Sequence, residues 1–208
     1  MSIGRLHVIT DARPGRNPMV PVLAALEAGA PVVQVRAKRL TDRELYELAC
    51  RIAERCAAHG ALCLVNDRVD VARAVGAAGA HVGDDDLPVA AARTALGPGL
   101  VLGATARGPQ AARAHEAAGA DYVGVGPAFR TTTKDGLPAP IGASGVGAVA
   151  SAIGLPVIAV GAVTAAQVPE LLGAGAYGVA VVSAVSEADD PHAATEELLR
   201  AIERASAS

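Results

Sequence analysis

Gln34, Arg36 and Lys38 recur at alternate positions of an otherwise apolar run, a spacing that in a β-strand turns all three side chains to one face. Two cations beside an amide suit an anion, because charge-assisted hydrogen bonds are the strong ones. The same trio also suits a polar layer that satisfies itself by internal hydrogen bonds. Further on stand Asn66-Asp67 and the run Gly83-Asp84-Asp85-Asp86-Leu87-Pro88. Carboxylates from two neighbouring strand ends, with no Cys or His beside them, suit a hard, oxygen-liking cation such as Mg2+ rather than zinc, with a shared phosphate completing the coordination. The Asp run reads equally as a solvated turn and helix cap ahead of Pro88. A third stretch, Gly126-Pro127-Ala128-Phe129-Arg130-Thr131-Thr132-Thr133-Lys134-Asp135-Gly136, offers three hydroxyls and an ammonium. Those groups can donate to phosphate oxygens, although Thr-rich stretches are also common as plain loops. The histidines form no triad: His59 and His115 fall in helical patterns, His192 opens the last helix, and only His7 and His81 sit in strands from which they can face inward.

These residues need a scaffold, and its rhythm is regular. Strand-type runs recur at Leu6–Thr10, Val32–Arg36, Leu62–Asn66, Ala80–Val82, Leu100–Gly103, Tyr122–Val125, Val157–Val160 and Gly178–Val182. Between them lie Ala- and Leu-rich stretches with helical spacing, such as Asp42–Ala58, Gln110–Ala118 and Ala165–Leu172. Thr41 and Thr164 stand where N-caps belong. Gly29, Gly79, Gly119 and Gly175, each followed by Ala just ahead of a strand, stand where left-handed C-caps belong. Eight strands alternating with helices predict a single (β/α)8 TIM barrel spanning residues 1–208 as one domain. An open doubly wound sheet would have fewer strands and a Gly-rich turn after the first, where Thr10-Asp11-Ala12-Arg13 stands instead.

In such a barrel chemistry gathers where the strands end, and phosphate is often held after strands seven and eight by backbone N–H groups. Gly161 and the pair Val182-Ser183 occupy those positions, Gly161 permitting close backbone approach; tight turns without a ligand fit the same residues.

The composition bounds the function. The 208 residues are 51% apolar and 19% charged, with a net charge of −3, which excludes a disordered chain and fits strands buried on both faces. Lys and Arg are scattered singly and Trp is absent, so neither a basic stripe nor a stacking platform for nucleic acid is expected. No apolar run approaches the ~20 residues of a membrane span, and Met1–Leu6 offers no signal-peptide core. A cytoplasmic protein acting on small molecules is expected, with a homo-oligomer left open. Cys50, Cys56 and Cys63 have no paired spacing that suggests zinc or a disulfide.

Taken in order, Gln34-Val35-Arg36-Ala37-Lys38, Asn66-Asp67-Arg68, Asp86-Leu87-Pro88, Gly103-Ala104-Thr105, Gly126-Pro127, Thr131-Thr132-Thr133-Lys134 and Val182-Ser183 resemble thiamine phosphate synthases, from about Leu6 to Ala188. The resemblance implies an enzyme that joins a pyrimidine methyl diphosphate to a thiazole phosphate, releases pyrophosphate and uses Mg2+. It implies that Gln34 and Lys38, with Arg36 close by, hold the diphosphate substrate, that Asn66 contacts the pyrimidine, and that Asp67 and Asp86 ligate the metal. Thr105 stands where the family often has Ser beside the reacting groups. Thr131 and Thr133 match contacts to the thiazole phosphate, Lys134 matches the lysine on the diphosphate, and Gly161, Val182 and Ser183 match the phosphate cradle.

The chain departs from the family pattern at Asp84, where Gln is common, at Ala106-Arg107, where a His often follows, and at Ala162, the usual place of a second Gly. A thiazole tautomerase on the same fold is the competing enzyme, and a non-catalytic phosphate-ligand sensor the competing class. The tautomerases typically lack the threonine-lysine stretch and use a His where Arg107 stands.

Overall fold

The computed structural model describes residues 3–130 and 139–207. Eight short strands in these residues alternate with helices: β1 (Leu6–Ile9), α1 (Met19–Glu27), β2 (Val32–Val35), α2 (Asp42–Ala58), β3 (Leu62–Asn66), α3 (Val69–Ala74), β4 (Gly79–Val82), α4 (Val89–Leu96), β5 (Val101–Ala106), α5 (Pro109–Ala117), β6 (Tyr122–Val125), α6 (Gly142–Ala150), β7 (Val157–Val160), α7 (Val168–Gly173), β8 (Gly178–Val181), α8 (Ser183–Ser186) and α9 (Pro191–Ser206). Each strand pairs in parallel with the next and β8 returns to β1, closing a (β/α)8 barrel.

The two-residue period of each strand divides the side chains between two cores. Outward-facing Val33, Val35, Val65, Val123 and Val179 pack under the helices with the apolar stripes of α2 and α9. Inward-facing Ile9, Val32, Leu64, Tyr122, Ile158 and Ala180 fill the barrel. The helices are rich in Ala on their packed faces, which lets them approach the sheet closely. Ile52, fully buried on α2, is a site where truncation to Ala would cost about 2–5 kcal/mol.

Local signals explain the helix ends. Thr41 opens α2 through a capping box, its N–H donating to Glu44 Oε2 at 2.8 Å while the Glu44 N–H donates back to Thr41 Oγ1 at 3.4 Å. Thr164 caps a 3₁₀ turn, Ala165–Gln167, that precedes α7. Gly29, Gly119 and Gly175 adopt φ of +93°, +95° and +106°, as left-handed caps require. Gly79 does not: it is the first residue of β4, and a Cβ there would collide with the Val101 carbonyl of β5. The cap after α3 is Gly76, at φ +65°.

The strand ends also differ from expectation. β2 stops at Val35, so Arg36 lies just past the strand and Lys38 in the turn beyond, and of the alternating trio Gln34 alone is within β2. β5 runs on to Ala106, which places Thr105 inside a strand rather than after one. Cys50 and Cys56 lie on α2, Cys63 on β3, and all three are free thiols. No helix of the described residues is long and apolar enough to cross a membrane.

Candidate functional site

A pocket opens at the carboxyl-terminal mouth of the barrel. Gln34, Arg36, Lys38, Asn66, Asp67, Asp86, Thr105, Gly161, Val182 and Ser183 all line it, drawn from the ends of β2, β3, β4, β5, β7 and β8. Thr131, Thr133 and Lys134 lie outside the described residues.

The acidic side of the mouth is built by β3 and β4. Asp67 follows Asn66 with φ +66°, a left-handed conformation uncommon outside glycine but tolerated by Asp. Its N–H donates to the His81 carbonyl at 2.7 Å, tying the bend to β4. The Asn66 amide donates to Asp67 Oδ1, and Lys38 Nζ lies 3.0 Å from Asp67 Oδ2. Asp86 folds back over its own turn and accepts from the Gly83 N–H at 2.7 Å. The two carboxyl groups meet. Burial, and then the Asp86 carboxyl, push Asp67 above the usual carboxylate range against the pull of Lys38. Asp86 is held below that range despite its own burial, by Asp67, the Gly83 N–H and Lys38. Two oxygen-donor side chains placed together beside Lys38 are the residues here that could hold a divalent ion. Asp84 and Asp85 also line the pocket and are exposed at its rim.

The opposite side is backbone. Gly161 has φ +109°, and a Cβ there would stand 2.7 Å from Pro127 Cα. Glycine is therefore demanded by the fold itself at this position, before any question of phosphate approach. Ala162, next to it, holds φ +49° despite its Cβ.

The loop after β1 supports this mouth in two ways. Thr10 Oγ1 donates to the Arg36 carbonyl at 2.9 Å and accepts from the Arg36 N–H at 2.8 Å, fixing the backbone just past β2. Buried Asp11 is gripped by Arg13 at 2.7 and 2.6 Å, and Arg13 reaches Glu187 at the end of α8 at 2.6 Å. The Arg13 hydrogen bonds hold the Asp11 carboxyl below the usual range.

Sequence reasoning left the pocket floor largely unread. His7 and His81 line it together with Tyr122. His81 Nδ1 lies 2.9 Å from the Tyr122 hydroxyl and Nε2 3.0 Å from Thr105 Oγ1. His7 meets the Tyr122 ring edge-on at 5.3 Å. Burial pushes His81 down to about 4 and His7 down to about 3, so both rings are neutral near pH 7. The available signal was Gly103, the strand partner of Tyr122, where a Cβ would collide with the Tyr122 ring. Arg107 is absent from the lining; its guanidinium donates to the Ala139 carbonyl at 2.9 Å.

A closed parallel barrel with a polar pocket at the carboxyl-terminal mouth is the architecture of the (β/α)8 enzymes that act on small molecules. Residues 6–185 match the family model described as thiamine monophosphate synthase, and the chain belongs to that family. It is 60% identical to the thiamine-phosphate synthase of Salinispora tropica, over 97% of this chain and 98% of that one. It is 46% identical to the thiamine-phosphate synthase of Haloquadratum walsbyi, over 94% of this chain and 89% of the relative. Its backbone is similar to that of the thiamine phosphate pyrophosphorylase from Pyrococcus furiosus, with a TM-score of 0.87, 36% identity and coverage of 97% and 96%. The chain is an enzyme of this family, a transferase.

Proposed function

We propose that the protein joins 4-amino-2-methyl-5-pyrimidinylmethyl diphosphate to a thiazole phosphate, giving thiamine phosphate and pyrophosphate. The observation that carries this reading is the meeting of Asp67 and Asp86 beside Lys38 in a pocket that also holds Arg36, Gln34 and Asn66. Such a site suits a diphosphate with a counter-cation.

In the reaction the methylene C–O bond breaks, its electron pair leaves with the diphosphate, and the thiazole nitrogen lone pair forms the new C–N bond. The aminopyrimidine delocalises the positive charge on the methylene, so the step is dissociative and needs little acid–base chemistry. What the protein must supply is orientation and fixed charge. Lys38, Arg36 and Gln34 bind the diphosphate end, Asn66 orients the pyrimidine, and Thr105 stands beside the reacting atoms. Lys134 stabilises the leaving diphosphate as its charge grows. Gly161, Val182 and Ser183, with Thr131 and Thr133, receive the thiazole phosphate. Asp67 and Asp86 are the residues that would hold Mg2+, which when bound neutralises diphosphate charge.

The pairing of Arg107 with Ala139, away from the pocket lining, supports the synthase reading over an isomerase acting through that segment. Chromatography of a reaction holding both substrates tests the proposal. Thiamine phosphate is the expected product; isomerised thiazole carboxylate phosphate, or two bound and unchanged substrates, would refute it.

A further inference from the structure

Thr105, on the pocket wall, has the His81 ring as its hydroxyl partner. His81 bridges two hydroxyls, with Tyr122 on Nδ1 at 2.9 Å and Thr105 on Nε2 at 3.0 Å. His81 is 8% exposed and Tyr122 1%, so the His81–Tyr122 bond is shielded from bulk solvent, while half-buried Thr105 faces the pocket. A neutral imidazole has one N–H and one bare nitrogen, hence one neighbour must donate to it and the other must accept. A phenol is a far more acidic donor than an aliphatic alcohol, which assigns the donor role to Tyr122. Nδ1 then accepts, Nε2–H donates to Thr105 Oγ1, and the Thr105 proton is left to point into the pocket.

We infer that Tyr122 and His81 are positioning residues that lock the Thr105 hydroxyl as a hydrogen-bond donor to an acceptor atom of the substrate, of which the oxygens of a departing diphosphate are the strongest. The packing is built for this chain. Glycine at 103 leaves room for the Tyr122 ring, and a Cβ at Gly124 would press on His81 Cε1 at 3.0 Å. The opposite tautomer would turn the Thr105 proton toward His81 and offer the substrate only lone pairs, which an anion rejects.

The catalytic consequence rests on the proposed function, whereas the tautomer does not, and two measurements separate them. Imidazole 15N spectra of the full-length protein, assigned with His81→Gln, are expected to show His81 protonated on Nε2 and bare on Nδ1. A ring protonated on Nδ1 would overturn the inference whatever the enzyme catalyses. In the synthase assay Tyr122→Phe should lower kcat about tenfold, the upper worth of one net hydrogen bond, with little change in either KM. In a Thr105→Val background Tyr122→Phe should add less than about a twofold loss, because the hydroxyl it orients is gone. The same tenfold loss in both backgrounds would assign Tyr122 to packing alone and overturn the inference.

Discussion

Lys38 Nζ stands 3.0 Å from Asp67 Oδ2, on the carboxyl group that also meets Asp86. One cation thus faces two carboxyl groups, the pair proposed above to hold a divalent ion. Asp67→Asn and Asp86→Asn each remove a formal charge from that site, and turnover should fall on the order of 10²–10³ with a higher Mg2+ requirement. Unchanged Mg2+ dependence in both variants would remove the metal assignment. Exposed Asp84 is the contrast: Asp84→Gln should keep or improve activity, and a large loss would give Asp84 a metal or substrate role.

Lys134 is the cation assigned to the leaving group. A charge fixed beside the diphosphate stabilises the transition state more than the ground state, because negative charge grows there as the C–O bond stretches. Lys134→Ala should therefore lower kcat on the order of 10²–10³ while thiazole phosphate binding, measured alone by calorimetry, changes little. Pyrophosphate release at the normal rate would take Lys134 out of the diphosphate site.

Gly161 and Ala162 are neighbours with opposite prospects. Gly161→Ala meets both φ +109° and Pro127 Cα at 2.7 Å, so it should destabilise the fold by about 1–3 kcal/mol with or without ligand. Ala162→Gly relieves a left-handed alanine at φ +49°, and stability should hold or rise by up to ~1 kcal/mol. Denaturant unfolding of the two variants checks both. A loss of stability in Ala162→Gly would contradict the strain argument.

The buried histidines give stability a pH dependence. Burial lowers His7 from 6.5 to about 3, against the pull of the Gly4 carbonyl. The unfolded chain therefore takes up this proton at higher pH than the folded one. Its contribution is complete above about 6.5 and drains away as pH falls from about 6.5 toward about 3, at up to ~1.4 kcal/mol per pH unit. His81, lowered to about 4, acts in the same direction. Urea unfolding from pH 7 to 5 should show stability falling with acid, and His7→Gln should shed roughly half of that slope. An equally steep slope in the variant would mean that His7 is not held neutral.

Much of this architecture could be read from local pattern. Apolar runs marked every strand, and the N-cap Thr41 marked the start of α2 to the residue. What escaped depends on contacts between distant segments. Gly79 and Gly76 differ only in which one must approach β5, and that is a tertiary fact. Lys38 reached the pocket, yet from a turn, because the strand ended earlier than the spacing suggested. The carboxylates stood out through their charge. Tyr122 did not, and His81, read only as a residue able to face inward, gains its partners only when β4, β5 and β6 come together.

The most direct test follows pyrophosphate and thiamine phosphate together while Mg2+ is titrated into protein holding both substrates. The account predicts the two products in equal amounts, rising with Mg2+ and vanishing when either substrate is omitted or the metal is chelated. Pyrophosphate released without thiamine phosphate, or turnover indifferent to chelation, would contradict it.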